Sequence, residues 1–207
     1  HFMLPSNLAV VEDNGRVDLG GPGGTWSINP TVDGKSVAVV GELVLLDAPS
    51  PVPWYLLAAV VGLLMLASAW LCARSNRPPA YGPIAGALGV VAGTATVVGL
   101  TEWRTIPAGA GGNAFLALIP AVGMLAAGVA LWAGRATSSR ARLRLGGIAA
   151  AVATLGCWAF LRVPVLSHAV LPSGLPFLDR ATTATALGVA LAAGGLLVWR
   201  PPVARRH

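Results

Sequence analysis

The side chains that could bind a metal are few, and the clearest of them lies in the decamer VLSHAVLPSG. His168, the only histidine in the interior of the chain, stands there in an apolar run punctuated by prolines. Imidazole is a common metal ligand and titrates near neutral pH, and Glu102 and Asp179 are acids of the same predicted membrane face. We therefore consider a weak metal or proton site at His168 with Glu102 or Asp179. The alternative, which we favour, is an interfacial histidine that hydrogen-bonds a carbonyl group.

The first three residues form a second candidate metal site. If His1 is the mature N-terminus, its amino group and imidazole could bind copper together, and the thioether of Met3 is a soft ligand for the same metal. The alternative is that the sequence begins inside a longer protein, and we expect this alternative.

Other catalytic or metal-binding patterns are missing from the sequence. Cys72 and Cys157 both lie in apolar runs, without a CxxC pair or a Cys/His cluster, so neither a disulfide nor a zinc site is predicted. There is no P-loop, GxSxG or HExxH motif. Ion-coupled transporters usually carry charged residues within their membrane spans. No predicted span of this chain contains a charged residue. We therefore expect neither an enzyme nor an ion-coupled transporter.

The composition is that of a polytopic membrane protein. The 207 residues are 55% hydrophobic and 11% charged, with a mean hydropathy of +0.71, whereas soluble domains carry roughly 25% charged residues. The net charge of +6 comes from arginines that flank apolar segments, which is typical of membrane topology. A nucleic-acid partner is not expected, because no basic helix is interleaved with aromatic residues.

Residues 1–53 are predicted to form a small extracytoplasmic β segment. Short Val-rich stretches alternate there with Asn-Gly, Gly-Pro-Gly-Gly and Asp-Gly, which are strand and turn patterns. The stretch VDGKSV is the best hairpin candidate. Three or four strands give a small core, so we expect the segment to belong to a β-sandwich or to lean on the membrane part or a partner.

Residues 54–207 are predicted to form an all-α bundle of five transmembrane helices. Each apolar stretch is long enough to cross a hydrocarbon core of roughly 30 Å. The predicted spans are 54–72, 84–100, 114–134, 145–161 and 181–199. The lipid bilayer is therefore the first expected partner.

The distribution of charge predicts a multi-pass protein of the cytoplasmic membrane with its N-terminus outside and its C-terminus inside. With the β segment outside, all eight acids fall on the outer side. Nine arginines fall on the inner side, as the positive-inside rule requires. These are Arg74, Arg77, Arg135, Arg140, Arg142, Arg144, Arg200, Arg205 and Arg206.

Two small-residue patterns, Gly89-xxx-Gly93 and Gly188-xxx-Ala192, lie in the predicted spans. Small residues let helix backbones approach closely in lipid. They indicate either an association face or ordinary packing within the bundle, and we favour packing.

The chain resembles actinobacterial polytopic membrane proteins in which a secreted β domain precedes several spans, and more loosely the copper-resistance C and D families. The matching pieces are HFMLPSN, VAVVGELVLLDAPSPVPWYLL and SHAVLPSGLP. The resemblance implies copper handling outside the membrane, with His1, Met3 and His168 as the residues that carry over. The chain departs from the copper-resistance D family in having five predicted spans and few His and Met residues.

Two functions follow as expectations. The first is extracytoplasmic copper handling or delivery. The second is a non-catalytic accessory subunit of a larger membrane assembly, such as a respiratory complex, bound to other membrane-protein subunits.

Overall fold

The chain divides into two compact units, His1–Ala48 and Pro49–His207. A computed structural model describes residues 16–17, 26–44, 47–74, 81–105, 114–134, 140–168, 171 and 174–198. Each unit is described by itself.

Six short strands, paired as nested antiparallel ribbons, make up the described part of the first unit. The pairs are β1 with β6, β2 with β5 and β3 with β4. The strands are β1 (Arg16–Val17), β2 (Trp26–Ile28), β3 (Thr31–Val32), β4 (Lys35–Ser36), β5 (Val39–Gly41) and β6 (Leu43–Val44). Each pair is two-stranded, and a β-sandwich is not shown by the described strands.

The innermost ribbon is the hairpin that VDGKSV predicts, and this prediction is confirmed. Val32 pairs with Lys35, so Asp33 and Gly34 alone make the turn. Both residues have positive φ, 51° and 76°, as a type I′ turn requires. Asp and Gly adopt this conformation at low cost, and this explains why the chain reverses here.

Five long apolar helices form the second unit, and each is long and apolar enough to cross a membrane. They are α1 (Val52–Arg74), α2 (Tyr81–Thr105), α3 (Phe115–Gly134), α4 (Ala141–Leu161) and α5 (Pro176–Val198). The expected bundle of five helices that could span a membrane is therefore present. Helix α2 continues past Leu100, and α5 begins five residues before the predicted span. Both extensions bring charged residues onto helices.

Helix α5 occupies the middle of this bundle and α1 its edge. Half of the most apolar window of α5 is buried, against 6% for α1. Helix α5 packs against α1, α2 and α4, while α3 packs against α2 and α4. The core is built mostly from alanines around a few large side chains, among them Leu88, Ile148, Leu155 and Trp158.

The two small-residue patterns both lie at helix contacts within the bundle. A Cβ at Gly89 would lie 3.5 Å from the Cβ of Ala127, and one at Gly93 would lie 3.5 Å from the Sδ of Met124. Gly188 meets the backbone of Ala58 on α1. These glycines let the helices approach closely, so the packing interpretation is confirmed.

Candidate functional site

One end of the bundle, here the Arg162 end, gathers three charged side chains from three helices. Glu102 lies in the last turn of α2, Arg162 directly follows α4, and Asp179 lies in the first turn of α5. The Arg162 backbone N–H donates to the carbonyls of Trp158 and Ala159 at 3.2 and 3.1 Å. The end of α4 therefore fixes the backbone from which the guanidinium extends.

The guanidinium of Arg162 binds both carboxylates. Its Nη2 donates to the two oxygens of Asp179 at 2.7 and 2.8 Å, and its Nη1 donates to Oε2 of Glu102. Arg162 is 3% exposed, Asp179 0% and Glu102 9%. The three residues form a buried ion cluster that ties α2, α4 and α5 together.

Trp158 extends this cluster to the fourth helix. It lies one turn before Arg162 on α4 and is fully buried. The guanidinium carbon of Arg162 is 5.1 Å from its ring centroid, within the range of a cation–π contact. The indole Nε1 donates to the carbonyl of Leu116 on α3 at 2.7 Å. Four of the five helices are thereby joined through two adjacent side chains.

The cluster is suited to holding the fold rather than to binding a further ligand. Two carboxylates face one guanidinium, so the cluster carries a formal charge of −1. Removing one member of such a buried cluster leaves an unpaired charge, which is more costly than the pairing is worth. Within the part of the chain that the structure describes, Nε of Arg162 and Oγ1 of Thr183 are buried without a hydrogen-bond partner.

The segment directly after Arg162 packs on the end of the bundle. Val163–Leu166 form a 3-10 turn, and Leu166 is fully buried. Arg180 of α5 binds this turn, because its Nη2 donates to the carbonyl of His168 at 2.7 Å and its Nε to that of Val165 at 3.4 Å. The side chain of Arg180 thus holds two carbonyl groups of this segment against α5.

The predicted site residues are only partly brought together. Glu102 and Asp179 meet through Arg162, whereas His168 is exposed and its recorded contacts are those of its backbone. His1 and Met3 lie outside the described residues. Among the residues that are described, no group of three or more His, Cys, Asp or Glu side chains could hold a metal ion.

The copper site stays a prediction, and metal analysis tests it. If the hypothesis is right, copper co-purifies with the protein and His168→Ala loses it. Copper absent from both proteins would contradict it.

Arg162 is the functional residue that sequence reasoning did not single out. A signal was nevertheless present, because Arg162 stands between two apolar stretches, WAFL and VPVL. A charge in such surroundings is expected to need a partner, and Glu102 and Asp179 are the only acids of residues 49–207.

Comparison of the chain with models of protein families, with curated proteins and with solved structures found no match in any of the three.

Proposed function

We propose that this integral membrane protein is a non-catalytic accessory subunit that holds a small β unit at the membrane surface for a partner protein. The observation that carries the proposal is the exposure of the described strands of that unit. Every residue from Ser27 to Glu42 is exposed except Gly41, which is half-buried. The apolar side chain of Val40, for example, is 63% exposed. A two-stranded ribbon without a buried face is marginal in water, so a covering surface would stabilise it.

Apolar residues lie on both faces of the β2–β5 ribbon. Ile28 is paired with Val39, and Val40 on the opposite face is paired with Ser27. All three of the apolar side chains are exposed. Burying apolar surface contributes about 25 cal/mol per Å², so a partner that covers either face gains free energy.

Charge favours a basic partner. Residues 1–48 contain six acids and two basic residues. Electrostatic complementarity mainly sets the association rate and the choice of partner. The proposed partner is therefore a protein with a basic and partly apolar surface.

The charged groups within the bundle support a structural rather than a catalytic role. Glu102 and Asp179 are both engaged by Arg162. A carboxylate held in this way is not free to act as a base or to bind a cation.

The proposal includes the orientation that the arginine distribution favours, with the β unit outside the cytoplasmic membrane. Arg74, Arg140 and Arg144 lie at the end of the bundle opposite Arg162. By the positive-inside rule this end faces the cytoplasm.

Purification from native membranes in mild detergent, followed by native mass spectrometry, tests the proposal. We expect a complex heavier than the 20.9 kDa chain, with one further protein in fixed stoichiometry. Val40→Lys places a charge on the exposed apolar face and is expected to lower the recovery of that protein at least ten-fold.

Thr31→Lys is the matched control, because it adds the same charge at an exposed polar strand position and is expected to keep the partner. A monomer in both wild type and control would contradict the proposal. So would a partner that is retained by Val40→Lys.

A further inference from the structure

Two of the short ribbons of the β unit are parts of one hairpin. The register that joins β3 to β4 beside the turn also joins β2 to β5 at the far end. Between these two ladders the Val37 N–H donates to the carbonyl of Pro30 at 2.9 Å, which is the bond that this register requires. Pro30 has no N–H to return the bond, and this explains the gap between the ladders. Residues 26–32 are therefore the first strand of the hairpin and residues 35–41 its second strand.

The bond between Val37 and Pro30 also shows which backbone groups point away from the hairpin. In an antiparallel ladder, hydrogen-bonded pairs alternate with pairs whose N–H and C=O groups point outward. Because Val37 and Pro30 form a hydrogen-bonded pair, the next pair along the register, Ala38 with Asn29, points these groups outward. The outward groups of the second strand belong to Ser36, Ala38 and Val40, and those of the first strand belong to Ser27, Asn29 and Thr31.

The second strand has the composition of a strand from the middle of a sheet. Residues 37–40 are Val-Ala-Val-Val, so apolar side chains stand on both faces, as in strands that are buried on both faces. The first strand instead contains Pro30, which is typical of an edge strand, and a polar residue at every second position. Within the described chain, however, β4 and β5 pair only with β3 and β2, and residues 35–40 are all exposed. The second strand therefore has an open edge on the side away from the first strand.

We infer that the open edge of the second strand binds an extended segment of the partner protein, which adds a third strand to the hairpin. The inference rests on the proposed accessory function and names how the partner binds. An added strand gives partners to the outward N–H and C=O groups of the second strand, and its side chains lie beside residues 37–40 on both faces. Backbone pairing provides the affinity of such interfaces, and alternate side chains provide the specificity. Since residues 1–48 contain six acids and two basic residues, charge favours a segment with Lys or Arg beside its apolar residues.

Amide hydrogen exchange on the complex recovered from native membranes, resolved to single residues, tests the inference. The three outward N–H groups of the second strand are expected to exchange about ten-fold more slowly in the complex than in the chain freed of its partner. The three outward N–H groups of the first strand point to the other edge, and their exchange is expected to stay unchanged. A complex that protects neither edge, or both edges equally, would overturn the inference and leave the accessory function in place. A chain recovered without any partner would overturn both.

Proline at an outward position removes one of these N–H donors and leaves the bonds within the hairpin in place. Ala38→Pro is therefore expected to weaken the binding of the partner about ten-fold, because a carbonyl of the added strand loses its donor. Asn29→Pro is the matched control, since Asn29 lies opposite Ala38 in the register and its N–H points to the other edge, so we expect it to keep the partner. Unchanged exchange at the Val37 N–H, which bonds within the hairpin, shows that each variant keeps its fold. Full binding by Ala38→Pro would overturn the inference even if Val40→Lys loses the partner, and so would an equal loss in the two proline variants.

Discussion

Replacing Arg162 with methionine is expected to lower the free energy of unfolding by about 3–5 kcal/mol. Methionine keeps the unbranched apolar stem of arginine out to the Nε position and lacks only the guanidinium group, so the change removes the charge, the hydrogen bonds and the contact with Trp158. Asp179 is fully buried and loses both of its bonds to Arg162. Glu102 loses its bond as well, and both buried carboxylates are left without their counter-charge. Unfolding by heat or by sodium dodecyl sulfate in one detergent measures the difference.

Arg104→Met is the control for this prediction. Arg104 is an exposed arginine in the same last turn of α2 as Glu102, and such surface changes are usually within about 0.5 kcal/mol of neutral. Equal effects of Arg162→Met and Arg104→Met would show that the ion cluster does not hold the bundle together.

A triple variant distinguishes the loss of the ion pairs of Arg162 from the loss of its packing. Adding Glu102→Gln and Asp179→Asn to Arg162→Met removes both stranded charges. Replacing a buried ion cluster as a whole is often close to neutral, whereas breaking it is costly. The triple variant is therefore expected to recover more than half of the loss. A triple variant as unstable as Arg162→Met would place the effect in packing against Trp158 instead.

The helices could be predicted from the sequence because lipid imposes a simple condition on them. A spanning segment must be long, apolar and hydrogen-bonded within itself, and this condition can be counted along the chain. The hairpin at Asp33-Gly34 could also be predicted from the sequence, because a two-residue turn with positive φ at both positions selects these residue types.

The Arg162 cluster could not be predicted in the same way, because its partners are distant in the sequence. Counting charge-free residues ends a predicted span at the first charge and so placed Glu102 and Asp179 in loops. In the structure both acids are on helices, where Arg162 binds them both. Two local signals supported an earlier start of α5, since Pro176 suits the first turn of a helix and Asp179 interacts favourably with the helix dipole. The pairing of Arg162 with Glu102 and Asp179 depends on the folded bundle, because only there do the ends of α2, α4 and α5 lie together.

The contact between α1 and α5 gives the second large expected effect, through Gly188. A Cβ at this position would overlap the carbonyl oxygen of Ala58 and lie 3.0 Å from the carbonyl carbon. These are backbone atoms of a helix and cannot rotate away, so α1 must move outward. Gly188→Ala is therefore expected to lower the free energy of unfolding by about 1–3 kcal/mol, as overpacking does. This is the net loss, because the overlap with the backbone of Ala58 outweighs the gain in helix propensity of about 1 kcal/mol that alanine brings.

Two further glycines turn this expectation into an ordered series that thermal unfolding can measure. A Cβ at Gly62 of α1 would lie 3.2 Å from the carbonyl oxygen of Gly188, and one at Gly195 of α5 would meet nothing within 4 Å. The same Gly→Ala change is therefore expected to destabilise most at Gly188, less at Gly62, and to be neutral or stabilising at Gly195. Because residue type and helix propensity are constant across the series, only the approach of α1 to α5 differs. Equal effects at Gly188 and Gly195 would mean that α1 does not pack on α5 through this contact.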